Sequence, residues 1–172
     1  GEYVVLDGAK ALALPTRFGQ SLHIEQGSDQ MMHWKSYDHD KSVWFEATIP
    51  FESIQRKERF DAPHHLKNTL IEILHEAYLM NADFLLESEG YVVTTELSFP
   101  KNWGLGTSST LINNIAQWAQ IDAFTLLKRS FGGSGYDVAC AQYNTPILYQ
   151  LQNELPVVES VDFTPVFADK IF

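Results

Sequence analysis

Two stretches of the chain carry residue types that can do chemistry. The first is Pro100-Lys101-Asn102-Trp103-Gly104-Leu105-Gly106-Thr107-Ser108-Ser109-Thr110. Gly104 and Gly106 have no side chain to keep an anion off the backbone, and Thr107, Ser108, Ser109 and Thr110 supply hydroxyls for phosphate oxygens or a bound cation. Ahead of the loop, residues 91–99 alternate as a strand. Behind it, Leu111, Ile112, Ile115, Ala116, Trp118 and Ala119 mark one apolar side of a helix. Strand, glycine–hydroxyl loop and helix bring free backbone N–H groups and the positive end of a helix dipole to one place. That is the make-up of a phosphate cradle. Taken alone, the loop fits equally a helix start capped by Thr or Ser. The second stretch is Gly132-Gly133-Ser134-Gly135-Tyr136-Asp137-Val138-Ala139. By pattern it is a flexible loop and a short helix, for which Asp137 would be a cap.

Two familiar glycine motifs do not fit the first loop. A Walker loop ends in Gly-Lys-Ser/Thr, and here Gly106 is followed by Thr107. A dinucleotide fingerprint needs glycine where Ser109 stands. The loop instead resembles the second motif of the GHMP kinases (galactokinase, homoserine kinase, mevalonate kinase, phosphomevalonate kinase), Pro-x-x-x-Gly-Leu-Gly-Ser-Ser-Ala-Ala. Thr107 replaces the first serine and Ser109-Thr110 the alanines. Ser134-Gly135-Tyr136-Asp137 is similar to the Ser-Gly-x-Asp loop of the same family, and its continuation resembles the Gly-Tyr-Asp-Ile-Ala subgroup. The opening Gly1-Glu2-Tyr3, with its apolar run, glycine turn and Ala-Leu-Ala-Leu-Pro, resembles the first motif of mevalonate-type kinases. Gly-Glu-His-Thr-Asp, expected of a galactokinase, is absent.

The resemblance implies an ATP-dependent small-molecule kinase that moves the γ-phosphoryl group of ATP to a hydroxyl or phosphate of a small acid such as mevalonate. It implies that Gly104, Leu105, Gly106, Thr107, Ser108 and Ser109 bind the phosphates and that Ser108 helps hold magnesium. Asp137 would act on the acceptor hydroxyl, with Glu2, Tyr3, Ser134 and Gly135 facing the acceptor. ATP and magnesium are the implied cofactors, and a small-molecule acceptor and a homodimer the implied partners. Many relatives place a glutamate in the helix before the Ser-Gly-x-Asp loop, where it joins a serine on magnesium. No acid stands between Ala123 and Phe131 here. The rival expectation is therefore a weak or inactive binding protein of the same fold. Relatives also carry a lysine strand before Gly-Glu and a second domain afterwards. The chain thus reads as the N-terminal, ATP-binding domain, residues 1–172, lacking both, and inactive in isolation.

The expected frame is α+β, a mixed β-sheet covered by helices, as in the GHMP kinase N-terminal domain and its ribosomal-protein-like relatives. Residues 4–14, with Asp7-Gly8 between two apolar runs, read from pattern alone as a hairpin; the resemblance makes them an apolar run, a turn and a strand. Strands are expected at 21–25, 32–37 and 43–49, with a hairpin loop at 38–42. Trp34, Tyr37, Trp44 and Phe45 are assigned to cross-strand packing ahead of base stacking. Residues 52–61, charged in both signs, read as a solvated connection. A helix follows over 61–81, with Asp61 as cap, Pro63 in its first turn and Leu66, Leu70, Ile73, Leu74 and Ala77 as buried stripe. His64, His65 and His75 are expected to be exposed. A helix capped by Asp122 and ending in Lys128-Arg129 suits the helix dipole. Strands close the chain at 147–151, 157–161 and 166–168.

Composition narrows the partners. The chain of 172 residues is 45% hydrophobic, enough for a core in one domain. Its net charge of −10 excludes a basic stripe for a nucleic-acid backbone. A nucleotide, held locally, is not excluded. Cys140 is the single cysteine, so no internal disulfide forms, in keeping with a reducing compartment. No apolar run has membrane-spanning length and no signal peptide is evident, which makes the cytoplasm the expected location.

Overall fold

The computed structural model describes residues 3–61, 63 and 65–166. It begins with a helical turn, α1 (Tyr3–Leu6), followed by a turn at Asp7-Gly8 and strand β1 (Ala11–Ala13). Strands β2 (Gln20–Gln26), β3 (Met31–Tyr37) and β4 (Val43–Pro50) lead into the short helix α2 (Phe51–Gln55) and the long helix α3 (His65–Met80). A single turn α4 (Asp83–Leu86) precedes β5 (Tyr91–Leu97). Then come α5 (Thr107–Ala119), α6 (Ala123–Ser130), α7 (Tyr136–Gln142), β6 (Ile147–Gln152) and β7 (Leu155–Ser160).

The strands form two sheets. One is four-stranded and mixed, in the order β2-β5-β3-β4, with β3 and β5 parallel and the other pairs antiparallel. The other is three-stranded and antiparallel, in the order β1-β6-β7. In the first sheet, alternation decides the faces: Tyr91, Val93, Thr95 and Leu97 are buried on β5, and Met32, Trp34 and Ser36 on β3. Helices α3, α5 and α6 cover that face through Leu70, Ile73, Leu74, Ile112, Ile115, Ala116 and Leu126. A smaller core joins Val5, Ala13, Ala139, Ile147 and Tyr149, and Phe124 packs against both.

Several expectations need correction. Residues 4–14 are no hairpin: Val5 is buried in a helical turn, and Ala11–Ala13 pair with β6. The expected mixed sheet is present, but a second, antiparallel sheet stands apart from it, in which β1 pairs with β6 far along the chain. Residues 52–61 are only partly a solvated connection, since α2 buries Phe51, Ser53 and Ile54. Beyond α2, Lys57 bonds Glu72 at 3.0 Å and Glu76 at 3.1 Å. Helix α3 starts at His65, too late for Asp61 to cap it, and Pro63 sits in the preceding turn. Leu66 is 42% exposed, although the rest of its stripe is buried. His75 is half-buried because its Nδ1 meets the Ile54 carbonyl oxygen at 2.8 Å. His64 lies outside the described residues, as does most of 166–168. The strand expected at 157–161 runs at 155–160, with its turn at Asn153-Glu154.

Candidate functional site

Beyond β5 the buried Phe99 anchors the chain, and Pro100 leads into one 3-10 turn over Lys101–Trp103, closed by Gly104 in the left-handed region. Gly106 follows at φ 72° and ψ 42° as the cap residue of α5. A side chain rarely adopts that conformation, which accounts for glycine here. No side chain caps α5, so the reading of Thr or Ser as a simple cap fails. The first-turn amides of α5 are left without a capping acceptor, and they carry the positive end of its dipole. Thr107 and Ser109 are half-buried and Ser108 is exposed. The Thr110 hydroxyl is already engaged with Gln20 Oε1 at 2.9 Å and the Thr107 carbonyl oxygen at 3.0 Å. Together with Asn114 Nδ2, which donates to the Gln20 carbonyl oxygen at 2.9 Å, it fastens α5 to β2.

The second stretch arrives beside the first. A Cβ built on Gly106 would stand 3.9 Å from the Asp137 Cβ. The two helices that carry them are joined by buried Asn113, whose Nδ2 donates to the Val138 carbonyl oxygen at 3.0 Å. Its Oδ1 accepts from Gln142 Nε2 at 2.9 Å. Gly135 holds the cap position of α7 at φ 76°, so Asp137 is an exposed first-turn residue and not the cap. Glycine is required at 135 for a second reason. A Cβ there would meet Phe124 Cδ1 at 2.9 Å and the Tyr149 hydroxyl at 3.1 Å. The buried Tyr149 donates its hydroxyl proton to the Ser134 carbonyl oxygen, and burial pushes its pKa up to about 12. Burial also raises Tyr136 and Cys140, and the nearby Asp137 carboxylate raises both further.

A cavity of about 450 Å³ opens beside the start of α5. Thr107, Ser108 and Lys101 line it at one side, Trp44, Phe45, Ser36 and Gln20 along the sheet, and His65, Thr69 and Leu70 along α3. No aspartate or glutamate is among its lining residues. Of the four strand aromatics, Trp34, Trp44 and Phe45 all line this cavity; Trp34 is buried and donates to Ser36 Oγ at 3.0 Å, while Trp44 and Phe45 are half-buried. Ser134 and Gly135 line a different cavity, of about 780 Å³, with Asp7, Lys128, Glu154 and Leu155. Gly104, Leu105, Gly106, Ser109 and Asp137 line neither of these two cavities. Glu2 lies outside the described residues, and Tyr3 is described only in its backbone.

Sequence reasoning missed Lys101, Trp44 and His65 as cavity residues. Lys101 lay within the quoted loop, but nothing in its spacing showed which way the chain would turn. Among the described residues no group of three or more His, Cys, Asp or Glu converges as a metal site. No helix among them is long and apolar enough to cross a membrane.

No protein-family model matches the chain, and no curated protein matches it significantly by sequence. Among solved structures the fold is like that of part of two mevalonate kinases. The mevalonate kinase of Methanococcus jannaschii superposes with a TM-score of 0.63 at 13% identity, covering 95% of this chain and 52% of its own. The mevalonate kinase of L. major, solved in complex with R-mevalonate, gives a TM-score of 0.54 at 21% identity, covering 96% and 49%. The chain spans about half the length of these enzymes. At such identities the likeness is one of fold.

Proposed function

We propose that the chain is the nucleotide-binding part of a GHMP-type kinase, acting on a small acid such as mevalonate. One observation carries this reading. In a protein of net charge −10, the cavity at the α5 start has no carboxylate in its lining and joins aromatic walls to a lysine and two hydroxyls. Aromatic and apolar walls suit a base, and the hydroxyl–amide end suits phosphates. Magnesium fits this donor set only as an ion that keeps most of its waters. Ser108 and the ligand's own phosphate oxygens would hold it, and it would supply charge neutralisation between the phosphates.

In the proposed reaction the acceptor oxygen forms a bond to the γ-phosphorus while the bridging β–γ bond breaks and ADP leaves. For a hydroxyl acceptor, the Asp137 carboxylate takes the proton. Gly106 to Ser109 position the phosphates, and positioning and charge stabilisation supply most of the rate. A second reading, a metabolite-binding protein without turnover, is favoured by the absence of any acid between Ala123 and Phe131.

The test is steady-state kinetics of the full-length protein with ATP against a panel of small hydroxy acids and their phosphates. Asp137→Asn should lower turnover by about 10²- to 10⁴-fold with nucleotide affinity nearly unchanged. Ser108→Ala should weaken nucleotide binding as well as rate. Near-normal turnover in Asp137→Asn would remove the catalytic role. Nucleotide binding with no turnover on any acceptor would leave the binding protein as the better account.

A further inference from the structure

Several lysines of the fold meet carboxylates, while Lys67, like Lys101, stands over an aromatic ring, 4.0 Å from the centre of Phe60. Lys35, Lys41, Lys57 and Lys128 each have one within 2.9, 2.6, 3.0 and 3.1 Å. Lys101 has none among the described residues; its ammonium stands 5.1 Å from the centre of the Trp44 ring, at the wall of the cavity that contains Thr107 and Ser108. The backbone beneath it is held in place. Its N–H donates to Asp38 Oδ1 at 3.1 Å, and Pro100 fixes the approach at φ −57°. The Asp38 carboxylate meets the backbone of Lys101, while its ammonium, with no carboxylate within ion-pair distance among the described residues, stands at a cavity with no acid in its lining.

We propose that Lys101 is the cationic contact for the phosphate groups of the ligand, and that the ligand draws the ammonium off the Trp44 ring. This rests on the nucleotide reading above. An exposed ammonium gains little from an aromatic face. A phosphate oxygen offers it a charge-assisted hydrogen bond, which is stronger. Lys101, Trp44, Thr107 and Ser108 line the same cavity, and an ammonium that leaves the ring exposes the indole to the base. Binding energy from Lys101 then grows with the phosphate charge of the ligand and is absent for adenosine.

The experiment titrates the full-length protein with ATP, ADP, adenosine and inorganic triphosphate by calorimetry, at low and high salt, following tryptophan fluorescence in parallel. Lys101→Met should weaken ATP and inorganic triphosphate by about 10- to 100-fold, leave adenosine no weaker than in wild type and flatten the salt dependence. Lys101→Arg should restore most of the affinity, and Trp44→Phe should abolish the fluorescence change on ATP. Thermal melts check that each variant folds, which exposure of Lys101 favours. Equal ATP affinity and salt dependence in wild type and Lys101→Met would overturn the assignment while the nucleotide reading stands. A folded wild type that binds neither ATP nor adenosine would overturn both.

Discussion

Glycines 106 and 135 both cap helices with φ near +70°, and they differ in what surrounds them. Around Gly106 the nearest atom to a new Cβ is at 3.9 Å, an ordinary contact. Gly106→Ala should therefore lose only the backbone term, about 1–2 kcal/mol. At Gly135 the same backbone term is joined by contacts of 2.9 to 3.1 Å with Phe124 and Tyr149. Gly135→Ala should lose about 2–5 kcal/mol in all. Urea unfolding of both variants decides it; equal losses would mean that the loop shifts away from Phe124 freely.

Tyr149 gives a pH signature. Its pKa is raised from 10.0 to about 12 in the fold. The neutral phenol is favoured by folding, so this contribution is whole below pH 10 and is lost as pH rises towards 12. Two units correspond to about 2–3 kcal/mol. Tyr149→Phe forfeits the bond to Ser134, about 1 kcal/mol at pH 8, but is spared the alkaline loss. The stability gap between wild type and variant should close and then reverse between pH 10 and 12. A gap independent of pH would show that Tyr149 titrates normally.

Among the elements, α3 is tied to its neighbours by charge. Glu76, with a side chain 11% exposed, accepts from Lys57 at 3.1 Å, and Arg129 of α6 stands 3.6 Å away. The Lys57 ammonium is held above its usual pKa, first by its hydrogen bond to Glu72 and then by that to Glu76. Both cations remain partly in water, which softens the penalty of a lost partner. Glu76→Gln should lower stability by about 1–2 kcal/mol, and added salt should narrow the difference from wild type. A loss unaffected by salt would point to packing and not charge. Asn113 does the equivalent for α5 and α7. Asn113→Leu leaves the Val138 carbonyl oxygen and Gln142 without their partner, and should lose about 1–3 kcal/mol. Because that pair of helices sets the distance from Gly106 to Asp137, turnover should fall further than nucleotide affinity.

For the whole molecule, the two cores communicate through Phe124, which packs against both. Phe124→Ala opens the contact between the mixed sheet with its helices and the small sheet β1-β6-β7. Phe124 is half-buried, so the expected loss is about 2–3 kcal/mol, below that of a core ring. In wild type a single calorimetric transition should report both cores. In the variant, amide exchange in β6 should quicken more than in β5. Uniform acceleration in both strands would mean that the cores are one cooperative unit even without the ring.

Much of this protein is legible in its sequence because local rules act locally. The alternation at 91–97 and the apolar stripe from Leu111 fix a strand and a helix on either side of Gly104 and Gly106. The cap Asp122 accepts from Thr125 N at 2.6 Å, as side-chain chemistry dictates at that position. The turns at 38–42 and at Asp7-Gly8 likewise follow from short-range preference. The rest depended on partners distant in the chain. Ala11–Ala13 is a strand because β6 offers it an edge, and Val4–Leu6 coils because Val5 fits the small core. Lys57 and His75 are drawn inward by Glu72, Glu76 and the Ile54 carbonyl, which no pattern of alternation reveals. At the site, the sequence by itself marked the glycine–hydroxyl loop and Asp137 as separate pieces. Only the packing of α5 on α7 brought them together, and only the turn at Lys101–Trp103 brought that lysine to the wall of Trp44. A helix start is written in consecutive residues; the distance between two helices is set by every side chain buried between them.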